Sequence, residues 1–271
     1  MKLLNVTLLS IAICSSAGYA QAQGIVFVQK ETVNGQTATN QIQMDKSHMR
    51  AESHASGNPM AFIFDGQKQT ALMVDMNKKT YTEITKADAD RMRQQLDAAT
   101  AQMQSQLANL PPEQRAIVEQ MMRGRGGAPG GARGANAAPA AKVQYRPAGS
   151  DKVGQWACTK YEGYTGEQKT DEVCTVDPKD FGLNPGDFDV AQQLADFMKA
   201  MMPGAAAGLM VNGKVQDQGF AGIPVRHTTY RNGAVATVSE LTELRHESIP
   251  ASAFDPPAGF SKQALPTGQR R

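Results

Sequence analysis

Turn residues recur at short, regular intervals between Met44 and Thr85, MDKSHMRAESHASGNPMAFIFDGQKQTALMVDMNKKTYTEIT, and this spacing restricts the stretch to short paired strands. Ser56-Gly57-Asn58-Pro59, Asp65-Gly66 and Asn77-Lys78 favour tight bends, because such residues tolerate positive φ or pre-set the turn. They predict strands over 44–53, 59–65, 68–76 and 79–84 in an antiparallel meander. Met60, Phe62 and Phe64 alternate with Ala61, Ile63 and Asp65. Leu72, Val74 and Met76 alternate with Ala71, Met73 and Asp75. Apolar residues therefore fall on both faces, so each face needs a cover or a cavity against it.

Other strands surround the meander. GIVFVQKET (24–32) is bounded by an Asn34-Gly35 turn and is expected to pair with 36–44 or with the meander. VQYRPAG (143–149) and a hairpin over 152–177, turning near Tyr164 to Gly166, follow later. Three further strands are expected in AAAGLMVNGKV, GIPVRHTTYRNG and AVATVSELTELRHESI, with Asn212-Gly213 and Asn232-Gly233 as turns. Pro250 to Asp255 predicts a short helical turn before a last extended piece near Phe260.

Helices interrupt this pattern twice. Thr85 and Asp88 form a capping-box variant, and Ala89, Met92, Leu96, Ala99, Met103 and Leu110 then predict a helix to about residue 108. Pro111-Pro112 stops it and opens a second arm with Ile117, Val118, Met121 and Met122, giving a helical hairpin over 86–123. Residues 124–141, GRGGAPGGARGANAAPAA, are a Gly/Ala-rich linker with too little apolar surface to offset the entropy of ordering. Residues 187–202 predict another amphipathic helix with Val190, Leu194, Phe197, Met198 and Met201 on one side. The tail 264–271 is expected to fray.

Residues 1–22 have the order of a cleavable secretory signal: Lys2, a short apolar run, then Ala20-Gln21-Ala22. Cleavage is expected after Ala22, with Ala20 as the alternative, and export to the periplasm, with secretion as the alternative. Ile13 ahead of Cys14 argues against a lipid-attachment site. No stretch reaches the roughly 18 apolar residues a membrane-spanning helix needs. Loss of Lys2 lowers the formal charge from +2 to +1, which gives no field to attract nucleic acid. Of three cysteines, Cys158 and Cys174 remain after cleavage, an even pair in an oxidising compartment, and are expected to be bonded to each other.

Chemistry-bearing residues are sparse. His48, His54, His227 and His246 show no metal-ligand spacing, no nucleophile setting accompanies the serines, and no cofactor is implied. The reading is therefore non-enzymatic. Fourteen methionines suit a flexible core or an adaptable apolar cavity; copper(I) binding would need tighter clusters.

Met49-Arg50-Ala51-Glu52, Ile63-Phe64-Asp65, Met73-Val74-Asp75 and Lys79-Thr80-Tyr81-Thr82-Glu83 resemble the exported bacterial family of domains called DUF4412. So do Val153 to Tyr161, Gly222-Ile223-Pro224-Val225, Ile249 to Phe254 and Pro257-Ala258-Gly259-Phe260. The resemblance covers most of 24–262 within a domain expected at 23–263, with the hairpin and linker as an insertion. The family is similar in outline to the LolA/LolB-like lipoprotein carriers, whose antiparallel sheet curls into a half barrel over helices. The resemblance implies an α+β fold of that kind and an apolar ligand, a lipid or a lipidated partner. The expected cavity is lined by Phe62, Phe64, Leu72, Met73, Val74 and Met198. The alternative is a structural or chaperone-like envelope protein acting through the helical hairpin.

Overall fold

In the computed structural model the chain is described over residues 21–54, 57–111, 114, 143–201 and 219–265. The strands are β1 (Gln21–Val33), β2 (Gln36–Met44), β3 (His48–Ser53), β4 (Met60–Asp65), β5 (Thr70–Asp75) and β6 (Thr80–Thr85), then β7 (Gln144–Val153), β8 (Trp156–Thr165), β9 (Gln168–Val176), β10 (Ile223–Arg231), β11 (Ala234–Pro250) and β12 (Ser261–Gln263). Two α-helices accompany them among the described residues, α1 (Lys86–Ala108) and α2 (Asp189–Met201). The strands form one curved, unclosed sheet in the order β12-β6-β5-β4-β3-β2-β1-β11-β10-β9-β8-β7. Two antiparallel meanders, β1 to β6 and β7 to β11, are thus joined along β1 and β11, and β12 adds to the β6 edge in parallel.

Local chemistry fixes the registers. Asn34-Gly35 and Asn232-Gly233 both take positive φ, the two-residue turns whose twist suits a hairpin. A second device is repeated: the Asp65 carboxylate accepts the Lys68 N–H (2.8 Å) and the Asp75 carboxylate accepts that of Lys78 (2.9 Å), each followed by a left-handed residue, Gln69 or Lys79. The strand expected over 44–53 is divided by a turn of related chemistry. Asp45 Oδ1 accepts the N–H groups of Ser47 and His48, both at 2.7 Å, so Met44 ends β2 and His48 starts β3. An aspartate hydrogen-bonding its own following backbone is a turn former, and Asp45-Lys46-Ser47 carries that signal without glycine or proline.

The two faces are covered differently. On one, here the helix face, Ile25, Met44, Met49, Phe64, Ala71 and Ile84 align across β1 to β6 and are buried. Helix α2 lies over this row with Val190, Leu194, Phe197 and Met201 buried, and the Phe197 ring sits 5.4 Å from that of Phe64. Helix α1 starts at the expected Thr85–Asp88 capping box. It gives this core only Ala89 and Met92 among its apolar residues, while Leu96 is 39% exposed. On the outer face, Val26, Ala61, Ile63 and Val74 are buried with Ile249 and Phe254, with Phe260 packed alongside. The chain after β11 therefore covers the second face that the apolar patterning left open: a 3-10 turn, Ala251–Phe254, and then β12. Arg50 Nη1 ties it down by donating to the Ala253 carbonyl at 2.8 Å, and His48 stacks on Phe254 with centroids 5.1 Å apart.

Cys158 and Cys174 are bonded, with Cα atoms 5.5 Å apart. They are diagonal rather than directly opposed, since Cys174 faces Lys160 across the β8–β9 ladder. The signal peptide expected over 1–22, the expected second hairpin arm, the linker expected over 124–141 and the strand expected near Asn212-Gly213 lie outside the described residues, apart from Gln21, Ala22, Pro111 and Gln114. Backbone pairing of β1 begins at Gln21, so Gln21 and Ala22 at the end of the expected signal already face β11. Among the described residues no helix is long and apolar enough to cross a membrane.

Replacing Phe254 by Ala should cost about 3–5 kcal/mol, the range for truncating a buried aromatic residue. It should be read as a lower urea midpoint with an unchanged helix signal by circular dichroism. Replacing both cysteines by serine should remove about 3 kcal/mol of loop-closure stabilisation, a fall in Tm of roughly 6–12 °C for a chain of this size. Non-reducing calorimetry checks it.

Candidate functional site

Next to the buried row, the helix face carries a second row in register: Phe27, Ile42, Ala51, Phe62 and Met73. Phe27 is buried, but cover diminishes along the row, and Met73 is 43% exposed. A third row, Gln29, Asn40, Ser53 and Met60, borders it, with Met60 44% exposed. These two rows line an open cavity of about 300 Å³ with a floor of Ile42, Ala51, Phe62 and Met73 and a rim of Gln29, Asn40, Ser53 and Met60. Large apolar side chains left exposed together are the informative exception on a protein surface.

Phe62 and Met73, both in the expected lining, are neighbours on this floor. Phe64 lies one row deeper, beneath Phe197, and Met198 packs half-buried against the same core. Leu72 and Val74 do not belong to this cavity: they point to the outer face, among Ile63, Ala61 and Ile249. Three consecutive strand residues cannot share a face, because successive Cβ atoms alternate, so choosing Met73 excludes both neighbours. Ile42, Ala51 and Met60 were not foreseen. The Asn34-Gly35 turn already places Ile42 opposite Phe27, whereas Ala51 was hidden by the unrecognised turn at Asp45.

The rim holds one polar anomaly. Asn40 Nδ2 donates to Glu31 Oε2 at 2.8 Å. That bond fixes the amide's orientation, since the reverse would set two oxygens against each other. Asn40 Oδ1 is then buried with no hydrogen-bond partner among the described residues. Such an atom costs about 1–3 kcal/mol in a folded protein.

A second cavity, of about 360 Å³, lies where the ends of β1, β2 and β11 meet the 182–187 loop. Asp45, Lys46, Asp187, His246 and Glu247 are among its lining. Its histidine is engaged, with His246 Nε2 2.8 Å from the Phe181 carbonyl. The other histidines have partners too. His48 Nδ1 lies 3.1 Å from Asp45, His54 Nδ1 3.1 Å from the Thr39 carbonyl and His227 Nε2 2.9 Å from Asp171. Among the described residues no cluster of His, Cys, Asp and Glu is placed to hold a metal ion. Away from the apolar cavity, Lys169 sits between Glu162 (2.8 Å) and Glu172 (2.7 Å). Burial works to lower its ammonium, but the two carboxylates outweigh this and hold it above the ordinary lysine range.

Residues 133–260 match the family DUF4412, a domain of unknown function. The matched span is narrower than the resemblance read from the residues, since it takes in β7 to β11 and the 3-10 turn but not the β1 to β6 meander. No curated protein matches the chain. Among solved structures, an uncharacterised conserved protein from Thermus thermophilus is 7% identical with a TM-score of 0.43, over 91% of this chain and 93% of that one. The Pseudomonas aeruginosa MucA/MucB complex gives 10% identity and a TM-score of 0.40, over 88% of this chain and 57% of that one. PNGF-II gives 8% and 0.35, over 90% of this chain and 31% of that one. Likenesses at this level transfer neither ligand nor activity.

The His227–Asp171 pair gives a pH dependence of stability. Burial raises the Asp171 carboxyl, but hydrogen bonds from His227 and Thr170 outweigh it, so its pKa lies below the ordinary 3.8. A carboxylate lowered on folding contributes stability that is fully present above its unfolded pKa and is lost as pH falls through the folded one. Asp171→Asn should therefore flatten the acid limb of stability below about pH 4. Urea midpoints from about pH 2 to 7 test this; a parallel acid limb in the variant would refute it.

Proposed function

We propose that the chain is an exported, non-enzymatic binding protein for a small apolar ligand, acting in the periplasm. The observation that carries this reading is the half-covered row ending in Phe62 and Met73, with Met60 exposed at its rim. Burying such surface contributes about 25 cal/mol per Å², and unbranched, polarizable methionines adapt to varied apolar partners. The signal-like order of residues 1–22 and the Cys158–Cys174 disulfide support an oxidising compartment outside the cytoplasm.

Size narrows the ligand. About 300 Å³ is at the lower end of the roughly 300–1,000 Å³ of small-molecule pockets. One acyl chain suits it better than a multiply acylated anchor.

Mature protein purified without detergent from its native compartment should yield a stoichiometric fatty or acyl-chain compound in organic extracts by mass spectrometry, absent from a mock preparation. Met73→Glu places a charge on the cavity floor at an exposed position and should weaken added ligand by at least about tenfold, because an apolar chain must then desolvate a carboxylate. Leu96→Ser on α1 should not. An empty extract together with failure of added fatty compounds to bind would overturn the reading.

A further inference from the structure

We infer that the ligand of this cavity is a single apolar chain ending in an uncharged hydrogen-bond donor, a hydroxyl or an amide, and that Asn40 Oδ1 receives that donor. The inference rests on the apolar-ligand reading above and specifies the chemistry of the head.

Three observations select it. The rim is made of side-chain amides and a hydroxyl, Gln29, Asn40 and Ser53, and among the described residues no lysine or arginine lines the cavity. Glu31, which accepts from Asn40, is the nearby carboxylate with no cationic partner among the described residues, since Glu52, which also lines the cavity, is neutralised by Arg50 at 2.7 Å. A carboxylate or phosphate head would meet Glu31, and among the described residues no lysine or arginine lines the cavity to balance it. Finally, Asn40 is held by its Nδ2 bond to Glu31, which leaves Oδ1 as a buried acceptor lacking a donor among the described residues.

An acceptor lacking a donor calls for an N–H or O–H on the ligand. A cationic head would also donate, but it would have to shed its water beside a half-buried carboxylate already engaged by Asn40. Desolvating an ion costs more than a single imperfect pairing returns. An uncharged donor carries no such penalty. Met60, next to Ser53 in the same row, is exposed and unbranched, the kind of side chain that moves aside to admit a head group.

The test compares ligands of one chain length on the full mature chain by isothermal titration below their aggregation concentrations: dodecanamide, dodecanol, dodecanoate and dodecylammonium at neutral pH. Dodecanamide and dodecanol should bind about five- to tenfold more tightly than dodecanoate, the effect of one net hydrogen bond, and more tightly than dodecylammonium. Asn40→Ala should weaken dodecanamide and leave dodecanoate unchanged, so that only the part of the difference due to Glu31 remains. If that variant does not fold, Glu31→Gln serves in its place and should narrow the penalty on dodecanoate. Equal binding of all four heads, or tightest binding of dodecanoate or dodecylammonium, would overturn the inference and leave the apolar-ligand reading standing. Failure of every chain to bind would overturn that reading, and the inference with it.

Discussion

The ladder between β1 and β11 is the interaction on which the rest of the architecture depends. It runs from Gln21 opposite Pro250 to Val33 opposite Thr237, broken by one bulge at Val28/Gln29. Without it the chain would hold two separate meanders, each with a raw edge of unpaired backbone groups. Close approach is built into this seam. A Cβ on Gly24 would stand 2.7 Å from the Met44 carbonyl oxygen and collide with the Ile249 side chain. Only glycine lets β1, β2 and β11 meet there, which is the kind of backbone approach that marks glycine inside a strand.

From the seam follows the problem of two apolar faces. Sheets with hydrophobic residues on both sides need two covers, and this chain draws them from distant parts of its sequence. Helix α2 covers the deep row, and the stretch after β11 covers the opposite side. The helical cover is shorter than the sheet is wide, so the row ending at Phe62 and Met73 lies partly open. The candidate site is thus the part of the apolar sheet left over by helix packing.

Much of the fold could be read from local signals. Asn-Gly turns, the Thr85–Asp88 cap and strand alternation placed nearly every described element, and two cysteines on a hairpin's arms implied their bond. What escaped was set by longer-range registers. The turn at Asp45 rests on a side chain folding back to its own backbone, so 44–53 read as one strand and Ala51 lost its neighbours. The outer cover depends on a segment at the far end of the sequence from the strands it shields, which no window of local periodicity contains. The expected cavity lining joined Leu72, Met73 and Val74 on composition, although alternation alone separates them. Asn40 carried no signal at all, because an unsatisfied amide oxygen exists only once Glu31 has been brought beside it.

That distant outer cover has a consequence for how the molecule comes into being. Synthesis delivers a chain from its amino terminus, so β1 to β6 emerge first, and Val26, Ile63 and Val74 stay bare until Ile249, Phe254 and β12 arrive. Contacts between the two ends of a sequence are slow to close, and exposed strands are vulnerable to mispairing in the interval. A chain cut short before Phe254 would leave Val26, Ile63 and Val74 without that cover and show an apolar sheet to chaperones and proteases.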